Sequence, residues 1–380
     1  MKKFVVLGGY GNIGKVIVKD LFDSFKDSEI MIAGRDLDKA KQYANLFKSS
    51  RVRYAKINVT NINETSFLLK NADVCINAVQ YYFNLDIMKA CLKAQTNYLD
   101  LGGLFHMTKK QLKLNNEFKK INKTAILGCG STPGITNVLA SYGYKKLKKV
   151  NEIYITFGDY DKTKYLQPFV LPYSMQTLFD EFTLKPALLK NGKLIFVNPG
   201  SGEKYIDFPK PVGKLQGFYS LHSELATFPS SFKLKECSFR LTFPEEFNKQ
   251  IRFLVNTGFA SNKEIKINNL KLKPRDFTAK IMDRWLPNSK TKVNDLEYVR
   301  VELIGNKKLI LDCLTKTTNN IPAGTYDTGV PPSIIAQFIV NNKIKFKGVG
   351  APEFIVPELL FFEELKKRNI FVFSNGKKNL

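Results

Sequence analysis

The residues with the clearest chemical potential are three glycines near the N-terminus. They belong to one hexapeptide with the spacing Gly-x-Gly-x-x-Gly: Gly9, Tyr10, Gly11, Asn12, Ile13 and Gly14. In this spacing the first glycine permits a tight turn, the second lets the backbone approach a pyrophosphate, and the third lets a helix pack on a strand. The free N–H groups at the start of that helix bind the phosphates. We therefore predict that the hexapeptide binds a dinucleotide, although a glycine-rich turn without a ligand has the same spacing.

A second cofactor signal lies at the end of the next strand-like segment, EIMIAGRD. Proteins that bind NAD place an acidic residue there, on the ribose hydroxyl groups, whereas an arginine suits the 2′-phosphate of NADP. This chain has Arg35 at that point, so we predict NADP as the cofactor, with NAD as the alternative. In the alternative, Arg35 stacks on the adenine or points to solvent, and Asp36 binds the ribose.

Three side chains are candidates for acid–base chemistry beside a hydride donor. Asp100 ends the strand-like segment NYLD, where partial burial would raise the pKa of its carboxyl group towards neutrality. His222 lies two residues before Glu224, which can orient the imidazole ring. We predict that all three are catalytic. Each has a structural alternative, because an aspartate can cap a helix or bind a backbone N–H, and a single histidine is often part of the packing.

Substrate contacts are predicted from the middle of the chain. Arg240, in the strand-like segment SFRLTF, has the forked guanidinium that binds a substrate carboxylate, and Arg252 and Arg275 are its rivals. Tyr173 and Thr177 are expected to line the substrate cleft, the alternative being that they only pack a helix.

These candidates need a scaffold that brings strand ends together. From residue 2 to 130, short apolar runs alternate with helical repeats, which is typical of a doubly wound parallel sheet, the Rossmann arrangement. Ligands bind at the carboxyl ends of such strands, near the point where the strand order reverses. Three residues after the fourth strand therefore join the predicted cofactor site: Asn77, Ala78 and Val79.

Beyond residue 130 the pattern changes to strands with few helices between them, and then to apolar helices. We predict an α/β protein in three parts: a dinucleotide-binding Rossmann domain at 1–130, an inserted α/β domain at 131–325, and C-terminal helices at 326–380. The inserted domain is expected to contain a largely antiparallel sheet and to supply the substrate and dimer contacts. The C-terminal helices are expected to pack back on the Rossmann domain. Thr132 is expected to cap a helix that begins at Pro133.

Composition limits the other classes of function. The 380 residues contain 59 Lys and Arg against 34 Asp and Glu, a net charge of +25 that attracts polyanions. No nucleic-acid-binding motif or basic amphipathic helix accompanies this charge, so nucleic acid and membrane partners are not expected. Two histidines and scattered cysteines lack metal-ligand spacing, which predicts no metal site. Five cysteines without a CxxC pair, and no membrane-spanning run, indicate the cytoplasm.

Several segments together resemble one family. They are GGYGNIGKVIVKDL, DVCINAV, NYLDLGG, GCGSTPGITNVLA and TGVPPSIIAQF. In this order they are similar to the saccharopine dehydrogenase-like oxidoreductases, which include saccharopine reductases and lysine 6-dehydrogenases, over nearly the whole chain. The resemblance implies NAD(P)-dependent hydride transfer at a C–N bond of an amine or amino-acid-derived small molecule. It matches Asp100 to the family's aspartate after this strand, but the Leu101-Gly102-Gly103 that follows departs from saccharopine reductases. A homodimer is the expected assembly for this class.

Two other functions fit parts of the sequence. Tyr142 and Lys146 have the Tyr-x-x-x-Lys spacing of short-chain dehydrogenases and epimerases, in which the lysine lowers the pKa of the tyrosine. The basic charge also fits a non-catalytic regulator that binds NADP and a macromolecular partner.

Overall fold

The computed structural model describes residues 1–166, 169–282 and 291–378. Its first sheet has seven parallel strands in the order β17-β6-β5-β4-β1-β2-β3. They are β1 (Lys2–Leu7), β2 (Ser28–Gly34), β3 (Val52–Lys56), β4 (Val74–Asn77), β5 (Asn97–Asp100), β6 (Thr124–Ile126) and β17 (Gly348–Gly350). The strand order reverses between β1 and β4, so a ligand crevice is expected at the carboxyl ends of these two strands.

Helices cover both faces of this sheet, which explains why its central strands are buried apolar runs. Phe4, Val5, Val6 and Leu7 of β1, for example, are all buried. The helices are α1 (Asn12–Ser24), α2 (Leu37–Asn45), α3 (Ile62–Leu68), α4 (Asn84–Ala94), α5 (Leu104–Leu112) and α6 (Asn115–Lys120), with a 3₁₀ turn at Tyr81–Phe83.

The second sheet is mixed, with the main order β10-β11-β12-β7-β15-β16-β18, and β8 pairs with both β12 and β9. Among the described strands of this sheet, only β12 and β7 pair in parallel. Its strands are β7 (Val150–Asp161), β8 (Ala187–Lys190), β9 (Lys193–Phe196), β10 (Lys204–Asp207), β11 (Lys214–Tyr219), β12 (Glu236–Thr242), β15 (Asp295–Gly305), β16 (Lys308–Lys316) and β18 (Phe371–Ser374). A separate hairpin is formed by β13 (Ile265–Ile267) and β14 (Leu270–Leu272).

The remaining helices pack against the second sheet or join it to the first. They are α7 (Ile135–Leu147), α8 (Met175–Thr183), α9 (Glu224–Ser231), α10 (Glu245–Asn256), α11 (Pro274–Met282), α12 (Ala323–Val340), α13 (Pro352–Ile355) and α14 (Glu358–Lys367). The long α12 crosses α1 closely, since a Cβ atom on Gly329 would lie 2.5 Å from the Cβ atom of Val16. The chain after α12 adds β17 to the first sheet and β18 to the second.

The predicted fold class is confirmed: a doubly wound parallel sheet is combined with a largely antiparallel one. The division at residues 130 and 325 stays a prediction. One local prediction was wrong, because α7 begins at Ile135 and not at Pro133. The reason is a sharp turn at Gly134, whose φ of 136° suits only glycine. The Asn137 side chain accepts a hydrogen bond from the Gly134 N–H, which leaves Thr132 free for another partner. None of the helices in the described residues is long and apolar enough to span a membrane.

Candidate active site

The glycine loop between β1 and α1 forms a cradle that larger residues would fill. Gly8 has a φ of +76°, and a Cβ atom there would lie 2.7 Å from the carbonyl oxygen of Ala78. A Cβ atom on Gly14 would lie 2.1 Å from the carbonyl oxygen of Gly8. Gly11 is the N-cap of α1 and supplies no side-chain cap, so the first N–H groups of the helix are free to bind an anion. These features fit a dinucleotide pyrophosphate.

The end of β2 has the properties expected of a 2′-phosphate site. Arg35 is exposed beside the loop. The ring of Tyr10 lies against Gly34, and its hydroxyl accepts a hydrogen bond of 2.9 Å from the Asp36 N–H. The Asp36 carboxylate caps α2 by accepting a hydrogen bond from the Lys39 N–H, and this bond lowers its pKa. Because Asp36 is engaged in capping, Arg35 is the residue of this pair available to the ribose.

The three residues at the carboxyl end of β4 support the glycine loop in different ways. Ala78 contacts Gly8 through its backbone, as described above. Asn77 is buried, and its side-chain amide donates to Asn84 and Tyr98 while its oxygen accepts from the Val79 N–H at 3.1 Å. Asn77 therefore holds the loop in place. Ala78 and Val79 keep partly exposed surface beside the glycine loop.

Asp100 is the centre of a buried hydrogen-bond network. Its carboxylate accepts five bonds of 2.6 to 3.2 Å, two from backbone N–H groups and three from side chains. The donors are Gly102, Gly128, Asn84, Tyr98 and Gln111. Burial raises the pKa of Asp100, and these donors oppose that rise. The arrangement ties the loop after β5 to the loop after β6, so Asp100 holds both loops together.

A second buried pair reaches the same loops from the other sheet. His222 Nδ1 is hydrogen-bonded to Glu224 Oε2, and the imidazole stacks on Phe239 with ring centroids 3.8 Å apart. The other oxygen of Glu224 accepts hydrogen bonds of 2.8 Å from Thr132 and Thr136, beside the start of α7. Burial alone would lower the pKa of His222, but the charge of Glu224 outweighs it and the pKa is raised.

The pair lies close to the loop that Asp100 holds. Ser223, between the two residues, accepts a hydrogen bond from the Gly103 N–H at 3.3 Å. Pro133 touches both Gly102 and Gly128, since a Cβ atom on either glycine would come within 2.8 Å of the proline ring. The structure thus brings His222 and Glu224 to the carboxyl edge of the first sheet, next to the Asp100 network.

Glu181 joins this group from α8. The Tyr173 hydroxyl donates a hydrogen bond to its carboxylate, and Ser220 donates to its backbone carbonyl. Burial raises the pKa of Glu181 to about 7, although Tyr173 and the charge of His222 oppose the rise. Tyr173 keeps 36% of its surface exposed, so the predicted cleft position suits it. Thr177, half-buried in the first turn of α8, donates its N–H to Ser174.

The loop after β4 also binds the second sheet's helices. The hydroxyl groups of Tyr81 and Tyr82 both donate to the Asp180 carboxylate on α8. Arg275 forms a buried ion pair with the same carboxylate at 2.9 Å. Arg275 is therefore committed to holding α8 in place and is not a substrate clamp.

The prediction for Arg240 is corrected by the structure. Successive side chains of a strand point to opposite faces of the sheet. Phe239 stacks on His222, so Arg240 lies on the other face of β12, away from the site. There its guanidinium covers the Tyr219 ring and donates to Gly202 and Ser238. It lines an outer groove of the second sheet, with Tyr154 and Arg300.

The other candidate tyrosine is also remote. Tyr142 is in the middle of α7, where its ring packs edge-on against Phe362 of α14 with centroids 5.6 Å apart. Lys146 lies 3.4 Å from its hydroxyl. This placement gives the pair a packing role.

Sequence reasoning missed several residues of the site. Thr132 and Thr136 donate hydrogen bonds to Glu224, and Glu181 lies close enough for the charge of His222 to lower its pKa. Hydroxyl residues in a loop and one glutamate in a helix carry no distinctive pattern. Asp159, Glu297 and Asp327 also cluster near the His222–Glu224 pair. Their proximity depends on the strand register between distant segments, which no local pattern in the sequence indicates.

Comparison with known proteins agrees with this geometry. The family model for the saccharopine dehydrogenase NADP binding domain matches residues 4–126, and the model for the saccharopine dehydrogenase C-terminal domain matches residues 130–370. Carboxyaminopropylagmatine dehydrogenase from Synechocystis is 25% identical over 376 residues, which is 93% of each chain. Carboxynorspermidine synthase from Vibrio cholerae is 24% identical over 294 residues, covering 69% of this chain and 68% of that protein.

A solved structure shows the same fold. Apo saccharopine dehydrogenase (L-Glu forming) from Saccharomyces cerevisiae superposes with a TM-score of 0.73 at 16% identity, and the match covers 99% of both chains. The two family models together account for the nucleotide-binding sheet and the second sheet. The predicted family, enzyme class and cofactor are thereby confirmed: the chain belongs to the saccharopine dehydrogenase family and is an NADP-binding oxidoreductase of that type.

Proposed function

We propose that this enzyme transfers hydride between NADP(H) and the carbon of a C–N bond in an amine that also carries a carboxyl group. One observation carries the proposal: the His222–Glu224 pair meets the Asp100-held loops at the carboxyl edge of the nucleotide-binding sheet. That edge is where the glycine loop would place the reactive end of the cofactor. The names of two relatives, a carboxyaminopropylagmatine dehydrogenase and a carboxynorspermidine synthase, support a carboxylated amine as the substrate class.

The chain's own residues divide the remaining work. Bound NADPH supplies a hydride, and bound NADP accepts one. In the reducing direction the carbon of a C=N bond gains the hydride and its nitrogen gains a proton, which leaves a secondary amine. His222, with its raised pKa, and Glu181, with a pKa of about 7, are the groups proposed to give or take that proton. Glu224 orients the imidazole, and Asp100 is proposed as a positioning residue.

The wider organisation is proposed from the composition of the chain and from its enzyme class. We propose the three-part division at residues 130 and 325, a homodimer and a cytoplasmic location. The five cysteines support the last of these, since all are buried and unpaired, as suits a reducing compartment. Light scattering on the purified protein measures the assembly: a mass of one chain, 43.3 kDa, would refute the dimer.

Cofactor titration tests the part of the proposed function on which the rest depends, the binding of NADP(H). Wild-type protein titrated with NADPH and NADH, followed by nicotinamide fluorescence, is expected to bind NADPH more tightly. Replacing Arg35 with alanine removes the arginine at the end of β2 and should weaken NADPH binding by about tenfold, with NADH unaffected. K41A, an exposed lysine on α2, is the matched control. Failure to bind either nucleotide would remove the proposal, and equal loss for both would remove the role of Arg35.

A further inference from the structure

Three side chains form a row across the inner face of the second sheet. Asp159 of β7 is directly opposite Glu297 of β15, and Glu297 is directly opposite Thr315 of β16. The register between β7 and β15 has no shift before Ile304. Because side chains alternate between the two faces of a strand, Asp159 lies on the same face of the sheet as Ile155. Ile155 pairs with Phe239, the residue that stacks on His222. The row therefore shares its face of the sheet with the candidate catalytic histidine.

Asp327 of α12 packs over this row of side chains. A Cβ atom on Gly324, one turn earlier in the helix, would lie 2.7 Å from Oε2 of Glu297, so this face of α12 lies directly over the glutamate. Asp327 is completely buried, yet neither of its carboxylate oxygens has a hydrogen-bond partner in the described structure. The buried hydroxyl groups of Thr315 and Ser131, which face Asp327, also lack partners there.

Among the residues that the structure describes, no cation forms an ion pair with these carboxyl groups. Within the described ranges, none of the ion pairs includes Asp159, Glu297 or Asp327, and the charges that act on them are all carboxylates. Burial raises the pKa of Asp159 to about 6 and that of Asp327 to about 7, and neighbouring carboxylates add to both rises. Like charges directly opposite each other destabilise a sheet. In a chain with a net charge of +25, three unbalanced acids at one point require another explanation than surface composition.

The next row on the same strands shows what a structural acidic pair looks like. Asp161 is opposite Asp295, but both carboxylates have partners. Asp295 caps α12 by accepting from the Ala323 N–H at 3.0 Å, and Asp161 accepts from the Thr163 N–H and the Tyr165 hydroxyl. Asp327 differs from this neighbouring pair because neither of its carboxylate oxygens has a hydrogen-bond partner in the described structure.

We call the carboxyl groups of Asp159, Glu297 and Asp327 the acidic row. This row extends to the candidate active site and is partly exposed to solvent. Ser131, which faces Asp327, immediately precedes Thr132, the residue that binds Glu224. At the other end of the acidic row, partial burial and the charges of Glu297 and Asp159 raise the pKa of Tyr173, which is hydrogen-bonded to Glu181. Asp159, Glu297 and Tyr173 all keep exposed surface, whereas Asp327 lies at the buried end.

We infer that Asp159, Glu297 and Asp327 bind the cationic end of the substrate, an ammonium or guanidinium group, and hold it beside the Ser131 and Thr315 hydroxyl groups. This deepens the proposed function and rests on it, since it assigns the substrate class to cationic amines rather than to dicarboxylic amino acids. An ammonium or guanidinium group supplies both the missing positive charge and the missing hydrogen-bond donors. Its opposite end would then extend past Ser131 towards His222.

Calorimetric titration of the full chain, saturated with NADP at pH 8, tests the inference. The probes are agmatine and norspermidine, with glutarate as the anionic comparison. Wild-type protein is expected to bind both cations and not glutarate. E297Q and D327N should each weaken cation binding by about tenfold or more, because each removes one charged acceptor. E302Q is the matched control, since Glu302 is on the outer face of the same strand and pairs with Lys308.

The NADPH affinity of each variant separates the possible failures. Unchanged NADPH binding shows that a variant is folded and that the proposed function stands. If wild-type protein binds NADPH but neither cation, or if E297Q and D327N bind the cations as tightly as E302Q does, the inference is wrong. If NADPH itself does not bind, the proposed function fails first.

Discussion

Asp100 and Asp327 are both fully buried carboxyl groups near one cleft, and their surroundings are opposite. Asp100 accepts five hydrogen bonds and joins two loops. Asp327 accepts none in the described structure and faces another carboxyl group, Glu297. A buried acid whose partners come from its own chain stabilises the fold, whereas one without partners costs stability unless a ligand supplies them. The same asparagine substitution should therefore have opposite effects at the two positions.

The largest effect is expected for D100N. The amide NH₂ would face N–H donors that the carboxylate now satisfies, so at least two buried donors lose their acceptor. We expect the free energy of unfolding to fall by roughly 3 kcal/mol or more, measured by urea denaturation. D38N, in the exposed first turn of α2, is the control and should stay within about 1 kcal/mol. A D100N variant as stable as wild type would show that the network is not structural.

The opposite sign is expected for D327N. The pKa of Asp327 in the folded protein, about 7, is above its ordinary value of 3.8. The folded state therefore holds this proton more tightly, and the stability it contributes is full at low pH and is lost as the pH rises to 7. Asparagine cannot ionise, so D327N should not lose this stability as the pH rises. Between pH 4 and pH 8, the free energy of unfolding of D327N should therefore rise relative to that of wild type by an amount on the order of 1–3 kcal/mol.

Parallel urea curves at pH 4 and pH 8 measure this difference. Wild-type protein should lose stability between the two values relative to D327N. The contrary outcome is a variant whose stability difference from wild type is the same at both pH values, which would mean that Asp327 is ionised or paired in the ordinary way.

The smallest effect is expected for R240A. Arg240 lies on the outer face of the second sheet, so its loss should leave the dissociation constants of NADPH and agmatine within about twofold of wild type. Loss of the contact with the Tyr219 ring should lower stability by no more than about 1 kcal/mol. A tenfold change in agmatine binding would instead return Arg240 to the substrate site.

The sequence predicted features that depend on local pattern. The glycine hexapeptide, the alternation of strands and helices, and Arg35 at the end of β2 could be read because each is specified by neighbouring residues. Asp100 and His222 could be singled out because Asp100 ends a strand-like segment, and His222 is one of two histidines and lies beside a glutamate. The errors arose from long-range geometry. Arg240 was predicted to bind the substrate, but the face on which it lies is set by the pairing of β12 with β7, which is distant in the chain, and by the stacking of Phe239 on His222.

The acidic row was missed for the same physical reason. Asp159, Glu297 and Asp327 are separated by more than a hundred residues at the widest, and only the register of β7 with β15 and the start of α12 brings them together. Each residue alone is an ordinary surface type in sequence. Their chemistry comes from burial and from missing partners, and neither property is visible before the strands are paired.

Proton release on cation binding tests the contrast between Asp100 and Asp327 most directly. Agmatine is titrated at pH 7 by calorimetry in buffers that differ in ionisation enthalpy. A cation bound beside Asp327 and Glu297 lowers their pKa values, so we expect wild-type protein and R240A to release about half a proton or more per site. The release should shrink in D327N, and it should also shrink for wild type at pH 9, where Asp327, with its pKa of about 7, is already ionised. Binding heats at pH 7 that do not depend on the buffer would contradict a cationic substrate site at Asp327.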